Sequence, residues 1–143
     1  MPQDKPVVKK VAALAERVLA GDTAGASRAL TLVVNETAGS DELLRAFFPS
    51  SGKAHKIGVC GPPGAGKSSL TSRLVKKFRE AGLKVGVLAV DPSSPLSGGA
   101  FLGDRLRIQE HAMDPGVFIR SLATRGMVGG VSHTIFAAIH VLE

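Results

Sequence analysis

Gly61, Pro62, Pro63, Gly64, Ala65, Gly66, Lys67 and Ser68 fill every fixed position of the pattern G-x-x-x-x-G-K-[ST]. The chemistry this spacing serves is capture of a phosphate chain. Glycines let the backbone curl so that amide N–H groups point inward, and the N–H groups that open a following helix add to the same electropositive nest. Lys67 supplies a mobile point charge for the β and γ phosphates. The Ser68 hydroxyl is an oxygen ligand suited to Mg²⁺, a hard cation that bridges phosphate oxygens. Ser69 is within reach of the α phosphate, so the nucleotide-binding set runs from Gly61 to Ser69. Two carboxylates stand where a metal-bound phosphate chain would use them. Asp91 ends an apolar run at the carboxyl edge expected of a parallel sheet, where open α/β sheets bind ligands. Asp104 follows a Gly-rich stretch, as a switch residue closing on a nucleotide would. Ser68, Asp91 and Asp104 are the candidate Mg²⁺ ligands, and Lys67 and Asp104 the candidates for catalysis. Each carboxylate has a local alternative: Asp91 as a turn residue before Pro92, and Asp104 as a helix N-cap.

Such a loop works only between a strand and a helix, and both are expected here. Lys56 to Cys60 (KIGVC) reads as a strand and Gly66 to Ala81 as a helix, with Leu70, Leu74 and Phe78 on its apolar face and Gly82 as its stop. Arg73, Lys76, Lys77 and Arg79 read as its solvated outer face. Val85 to Val90 (VGVLAV) is apolar on both faces, as a central parallel strand covered by helices would be. After the Pro-, Ser- and Gly-rich loop 92–103 come a short helix over 104–113, a third strand at Val117 to Arg120, a second Gly-containing loop, and a helix from Val131 with Ile135, Ala138, Ile139 and Leu142 on one side. The expected class is α/β: a parallel sheet flanked by helices.

Upstream, Val11, Leu14, Val18 and Leu19 fall on one face of a helix over 8–20, and Ala26, Leu30, Val33 and Val34 on one face of a second over 24–36. A third apolar helical turn spans 41–48 and ends at Pro49. The turn-rich stretch Pro49 to Gly52 is the natural boundary. The chain therefore divides into an N-terminal helical segment and linker over 1–52 and a phosphate-binding domain over 53–143.

Composition narrows the partners. The 143 residues carry 18 Lys plus Arg against 12 Asp plus Glu, a net charge of +6, with 44% hydrophobic residues, enough for a packed core. Six Phe with no Trp and no Tyr leave little to stack on bases, which argues against a nucleic-acid-reading module. A single cysteine, Cys60, cannot close an intramolecular disulfide and reads as a small buried filler in its strand. The four histidines show no metal-ligand spacing. The opening lacks the apolar core of a secretory signal, and no apolar run approaches the roughly 20 residues that span a bilayer, so the expectation is a cytoplasmic protein with no membrane association.

Three segments in order, GPPGAGKSSL (61–70), VDPSSPLSGGAFLGDRLRI (90–108) and FIRSLATRGMVGGVS (118–132), resemble the MeaB/ArgK GTPases, chaperones associated with methylmalonyl-CoA mutase. The N-terminal run VAALAERVLAGDTAGASRALTLVVNE is similar to that family's first helices. The resemblance implies a P-loop NTPase of the SIMIBI class, incomplete in this chain, that binds GTP with Mg²⁺ and gates cofactor loading of an adenosylcobalamin-dependent mutase. It also implies a homodimer when full-length. Asp91 and Asp104 match family carboxylates around Mg²⁺ and in the first switch, and 121–130 matches a stretch near the nucleotide and partner surfaces. The family's second switch, its N-K-x-D base-reading motif and its dimerisation arm have no counterpart in these residues. The resemblance therefore reads the chain as an N-terminal portion, with apolar surface left uncovered, and takes GTP over ATP from the family. Two other functions stand beside it: a P-loop kinase of the ArgK type, marked by a phosphorylated product, and a nucleotide-binding module without turnover, marked by GTP binding with no phosphate release.

Overall fold

The computed structural model describes residues 5–91, 108–123 and 134–143. They fall into two compact units, residues 1–55 with 133–143, and residues 56–132.

The first unit is helical. Helix α1 (Lys5–Leu19), α2 (Thr23–Val34) and α3 (Ser40–Phe47) pack on one another, and α5 (Thr134–Leu142) lies against α2 and α3. The i, i+3, i+4 spacing that makes α1 amphipathic buries Val11, Leu14 and Ala15, whereas Leu19, expected on the same face, is 54% exposed at the fraying last turn. In α2 the buried stripe is Gly25, Ala29, Leu30 and Val33, one position round from the expected Ala26 and Val34. Leu43 and Phe47 of α3, four residues apart, complete this core, with Leu30 and Leu43 the largest side chains fully enclosed in it. Helix α5 is apolar on nearly every side, so periodicity alone does not choose its inner face. Packing does: Thr134, Ala138 and Val141 are buried, in place of the expected Ile135, Ile139 and Leu142.

The turn between α1 and α2 is built from its sequence. Asp22 caps α2, its Oδ1 accepting the N–H groups of Ala24 at 2.9 Å and Gly25 at 3.1 Å, while Arg17 Nε donates to Oδ2 at 2.7 Å. The Gly25 N–H bond first, then the guanidinium, holds this carboxyl below the usual aspartate range. The third helix stops at Phe47, ahead of Pro49 as expected, and Pro49 sits in the short 3₁₀ turn that follows, Phe48–Ser50, where its missing N–H costs nothing.

The second unit is α/β. Helix α4 (Lys67–Glu80) is followed by β1 (Val85–Asp91), and β1 pairs in parallel with β2 (Val117–Ala123), with Val85 opposite Val117 and Asp91 opposite Ala123. β2 extends three residues beyond the expected Val117 to Arg120. A 3₁₀ turn, Gln109–His111, stands in the second half of the expected 104–113 helix; residues 104–107 lie outside the described residues.

The expected strand at 56–60 does not form. A strand is a ladder, and the two-stranded sheet offers 56–60 no pairing with β1 or β2. Ile57 and Val59 are accordingly 50% and 37% exposed, and Cys60 is exposed, not a buried filler. The same lack of covering changes α4. Leu70 is 52% exposed and Leu74 and Phe78 are half-buried, while the face packed inward carries Ser72 and Val75.

Two side-chain clips hold α4 to the segment leading into β2. At its carboxyl end Arg79 Nε donates to Asp114 Oδ2 at 2.9 Å and Nη1 to the Leu83 carbonyl at 2.6 Å, and Asp114 Oδ1 accepts the Gly116 N–H at 2.8 Å. A Cβ at Gly116 would run into the guanidinium, so a glycine lets the arginine lie flat on the turn. Arg79 is therefore not part of a solvated face. The Arg79 guanidinium, then the Gly116 N–H, holds the Asp114 carboxyl below the ordinary aspartate range. A depressed folded-state pKa adds stability above the unfolded-chain value, about 4, which is lost as pH falls through the folded value. In acid titrations followed by thermal unfolding, Asp114→Asn should therefore flatten the fall in stability below about pH 4 relative to the parent chain. An unchanged acid limb would remove Asp114 from that role.

Candidate functional site

The loop from Gly61 to Gly66 gets its path from three glycines with positive φ: +151° at Gly61, +77° at Gly64 and +84° at Gly66. Side chains at these angles are strained even where, as at 64 and 66, a Cβ would meet nothing within 4 Å. The constraint on the loop is thus backbone conformation, not crowding. Ala65 N–H bonds to the Pro62 carbonyl at 3.3 Å and closes the curl.

Gly66 is the N-cap of α4 and offers no side-chain oxygen to its first turn, and no acidic residue stands there. A helix start carries partial positive charge from its N–H groups and is usually quieted by a capping oxygen or carboxylate. Here Lys67, the first helical residue, adds a further positive charge at the same point. The arrangement suits an anion brought from outside. Lys67 Nζ donates to the Pro62 carbonyl at 2.9 Å, so the ammonium is folded back over the loop on an exposed bond that a phosphate oxygen can replace. Thr71 Oγ1 donates to the Lys67 carbonyl at 2.9 Å and braces the first turn from behind.

Gly61 to Ser69 are thus contiguous around one curl, with Ser68 and Ser69 in the first turn of α4 and half-buried. Asp91 is the last residue of β1, at the carboxyl end of the strand against which α4 packs. Asp104 lies outside the described residues. Among the described residues no group of three or more His, Cys, Asp or Glu gathers as a metal cage. Mg²⁺ in a nucleotide site takes one or two protein oxygens and draws the rest from phosphate and water. The donor set of hydroxyl and carboxylate at Ser68 and Asp91 fits that hard cation. No helix of the described residues is long and apolar enough to cross a membrane.

Sequence reasoning missed a second cluster on α4. Ser72 Oγ donates to the Glu110 carboxylate, and His111 Nε2 lies 3.0 Å from the same hydroxyl and 3.1 Å from the Ser72 carbonyl. The partners are 38 and 39 residues apart, and no spacing rule links them. No sequence signal marked it, since Ser72 lies off the expected apolar face of Leu70, Leu74 and Phe78.

The chain is similar to known proteins over most of its length. A family profile described as "Methylmalonyl Co-A mutase-associated GTPase MeaB" matches residues 26–143. A Pyrococcus abyssi protein named "Putative GTPase" is 51% identical over 130 residues, which cover 91% of this chain and 40% of that protein. The Escherichia coli protein named "GTPase ArgK" is 41% identical over 120 residues, 81% of this chain and 36% of its own. The mouse protein named "Methylmalonic aciduria type A homolog, mitochondrial" is 46% identical over 88 residues, 62% of this chain and 21% of its own. The chain spans about 40% of the length of the first of these curated relatives. The match begins within α2, ahead of the phosphate loop, and runs through both strands to the last helix, so it covers far more than the nine residues a phosphate loop alone would explain; the chain belongs to the MeaB family of methylmalonyl-CoA mutase-associated GTPases.

Proposed function

We propose that this chain is the phosphate- and Mg²⁺-binding part of a GTPase that hydrolyses GTP and serves as a chaperone for an adenosylcobalamin-dependent methylmalonyl-CoA mutase, gating its cofactor loading. The observation that carries the reading is the curl at Gly61 to Gly66 leading into an uncapped helix start with Lys67 at its first position. The family description and the mouse relative's name support the mutase as partner. In the complete protein we place a homodimer, in the cytoplasm.

Phosphoryl transfer to water asks little covalent chemistry of a protein. It asks for positioning and for charge where charge develops. The loop amides and α4 start hold the β and γ phosphates, and Lys67 leaves the Pro62 carbonyl to counter the charge growing between them. Ser68, Asp91 and Asp104 would hold Mg²⁺, which when bound neutralises phosphate oxygens. Asp104, from its place after the 92–103 stretch, would close on the phosphate chain.

Calorimetry of the full-length protein with Mg²⁺ and GTP or ATP, with phosphate release followed alongside, tests this. The expected result is binding of GTP in preference to ATP with release of free phosphate, and an Asp91→Ala variant weakened only when Mg²⁺ is present. Equal binding and turnover of the two nucleotides would remove the GTPase assignment. A phosphorylated acceptor in place of free phosphate would give the kinase reading, and binding without release a module that does not turn over.

A further inference from the structure

Ser72 on the inner face of α4 meets Glu110 and His111 of the 3₁₀ turn in a partly buried polar knot, with the Glu110 side chain largely exposed, and its hydrogen bonding follows from the donors present. A serine in mid-helix commonly turns outward or bonds back to its own helix. Ser72 does neither: it is 8% exposed and gives its proton to Glu110. A helix carbonyl has a second lone pair, and His111 Nε2, within reach of both the Ser72 carbonyl and hydroxyl, is positioned to fill it by donating. Glu110 Oε1 is 3.4 Å from the same ring nitrogen. This is not a nucleophile's geometry. A catalytic serine needs an accepting imidazole nitrogen with the carboxylate on the opposite ring atom, and here carboxylate and serine meet on one nitrogen.

What the knot does is fix α4. Ser72 lies five residues after Lys67, about 7.5 Å along the helix axis, while the Arg79–Asp114 clip lies about 18 Å from it. The two clips bind the same helix at unequal distances from the phosphate loop. The near one joins it to a turn six residues beyond Asp104.

We propose that Ser72, Glu110 and His111 are positioning residues for phosphate binding: they set the axial placement of the helix turn that carries Lys67 and Ser68, without touching the nucleotide. The inference rests on the phosphate-loop reading above. Misplacement by about 1 Å costs on the order of 100-fold where geometry governs function, so a smaller shift of the α4 start is expected to cost less.

The test is titration of the 143-residue chain with Mg²⁺-GTP, with thermal unfolding measured on every variant. Ser72→Ala and His111→Ala should weaken binding about tenfold, a loss between no displacement and the full cost of a misplaced group. His111→Gln, whose amide can still donate to the Ser72 carbonyl, should recover most of it. Arg79→Ala should lower the unfolding temperature comparably yet change affinity less than about threefold, because its clip is remote. If Ser72→Ala fails to fold, the His111→Ala and His111→Gln pair carries the comparison. Parent-like affinity in His111→Ala, no rescue by glutamine, or an equal loss in Arg79→Ala would each overturn the clasp while leaving the phosphate loop standing. No binding by the parent chain would overturn both.

Discussion

Lys67→Ala should weaken Mg²⁺-GTP binding by roughly 10- to 150-fold while leaving thermal stability nearly unchanged, since a hydrogen bond to a charged group is worth about 1.5–3 kcal/mol and the variant loses both that bond and its charge. The stability half follows from the structure without nucleotide. Among the described residues the ammonium bonds to the Pro62 carbonyl at an exposed position, and exposed polar contacts of this kind contribute little to folding. Lys67→Arg separates charge from shape. The guanidinium is a rigid fork in place of a compact point, so binding should recover only in part. Measured by calorimetry at fixed salt, a Lys67→Ala chain that bound Mg²⁺-GTP as tightly as the parent would show that the curl is a strand-to-helix turn with an incidental lysine. Raising the salt concentration should narrow the difference between the two chains, because the contribution of Lys67 is largely electrostatic and its surroundings are exposed.

Why the phosphate loop could be read from sequence, and the clasp could not, is a matter of range. The loop's determinants are local: glycines whose φ angles are fixed by their neighbours, a lysine at the first helical position, and a helix whose start they form. Gly64 and Gly66 take positive φ in the structure because the curl demands it, and that demand is written within eight residues. α4, β1 and β2 were legible for the same reason, since apolar runs and a glycine stop specify them over short windows. The strand at 56–60 was misread because a strand is specified by what pairs with it, and an apolar run such as KIGVC states a capacity to pair, not a partner. Helix faces failed by the same logic. Leu70, Leu74 and Phe78 are the most apolar stripe on α4, but the side turned inward is decided by the 3₁₀ turn and β1 that pack there, so Ser72 and Val75 are buried instead. Ser72 then finds Glu110 and His111 only because the crossover returns to it. Arg79 looked solvated in sequence beside Arg73, Lys76 and Lys77, and its partner Asp114 lies 35 residues away.

In the helical unit the largest expected loss is Leu30→Ala, about 3 kcal/mol of unfolding free energy, since leucine-to-alanine truncations in closed cores cost 2–5 kcal/mol through lost transfer energy and the cavity that remains. Leu30 has no exposed surface and lies on α2, the helix against which α1, α3 and α5 all pack, so no single neighbour can move in to fill the space without disturbing another contact. Leu30→Met, which keeps the volume, should cost less than about 1.5 kcal/mol. Leu19→Ala removes the same atoms from a side chain that is 54% exposed, and should stay within about 0.5 kcal/mol of the parent. Urea unfolding followed by helical circular dichroism reads all three, and the order Leu30→Ala, Leu30→Met, Leu19→Ala in decreasing cost is the signature of a core centred on α2. If Leu19→Ala proved as damaging as Leu30→Ala, the burial that separates the two leucines would not be what holds the unit together, and the packing of α1, α3 and α5 on α2 would have to be abandoned as its source of stability.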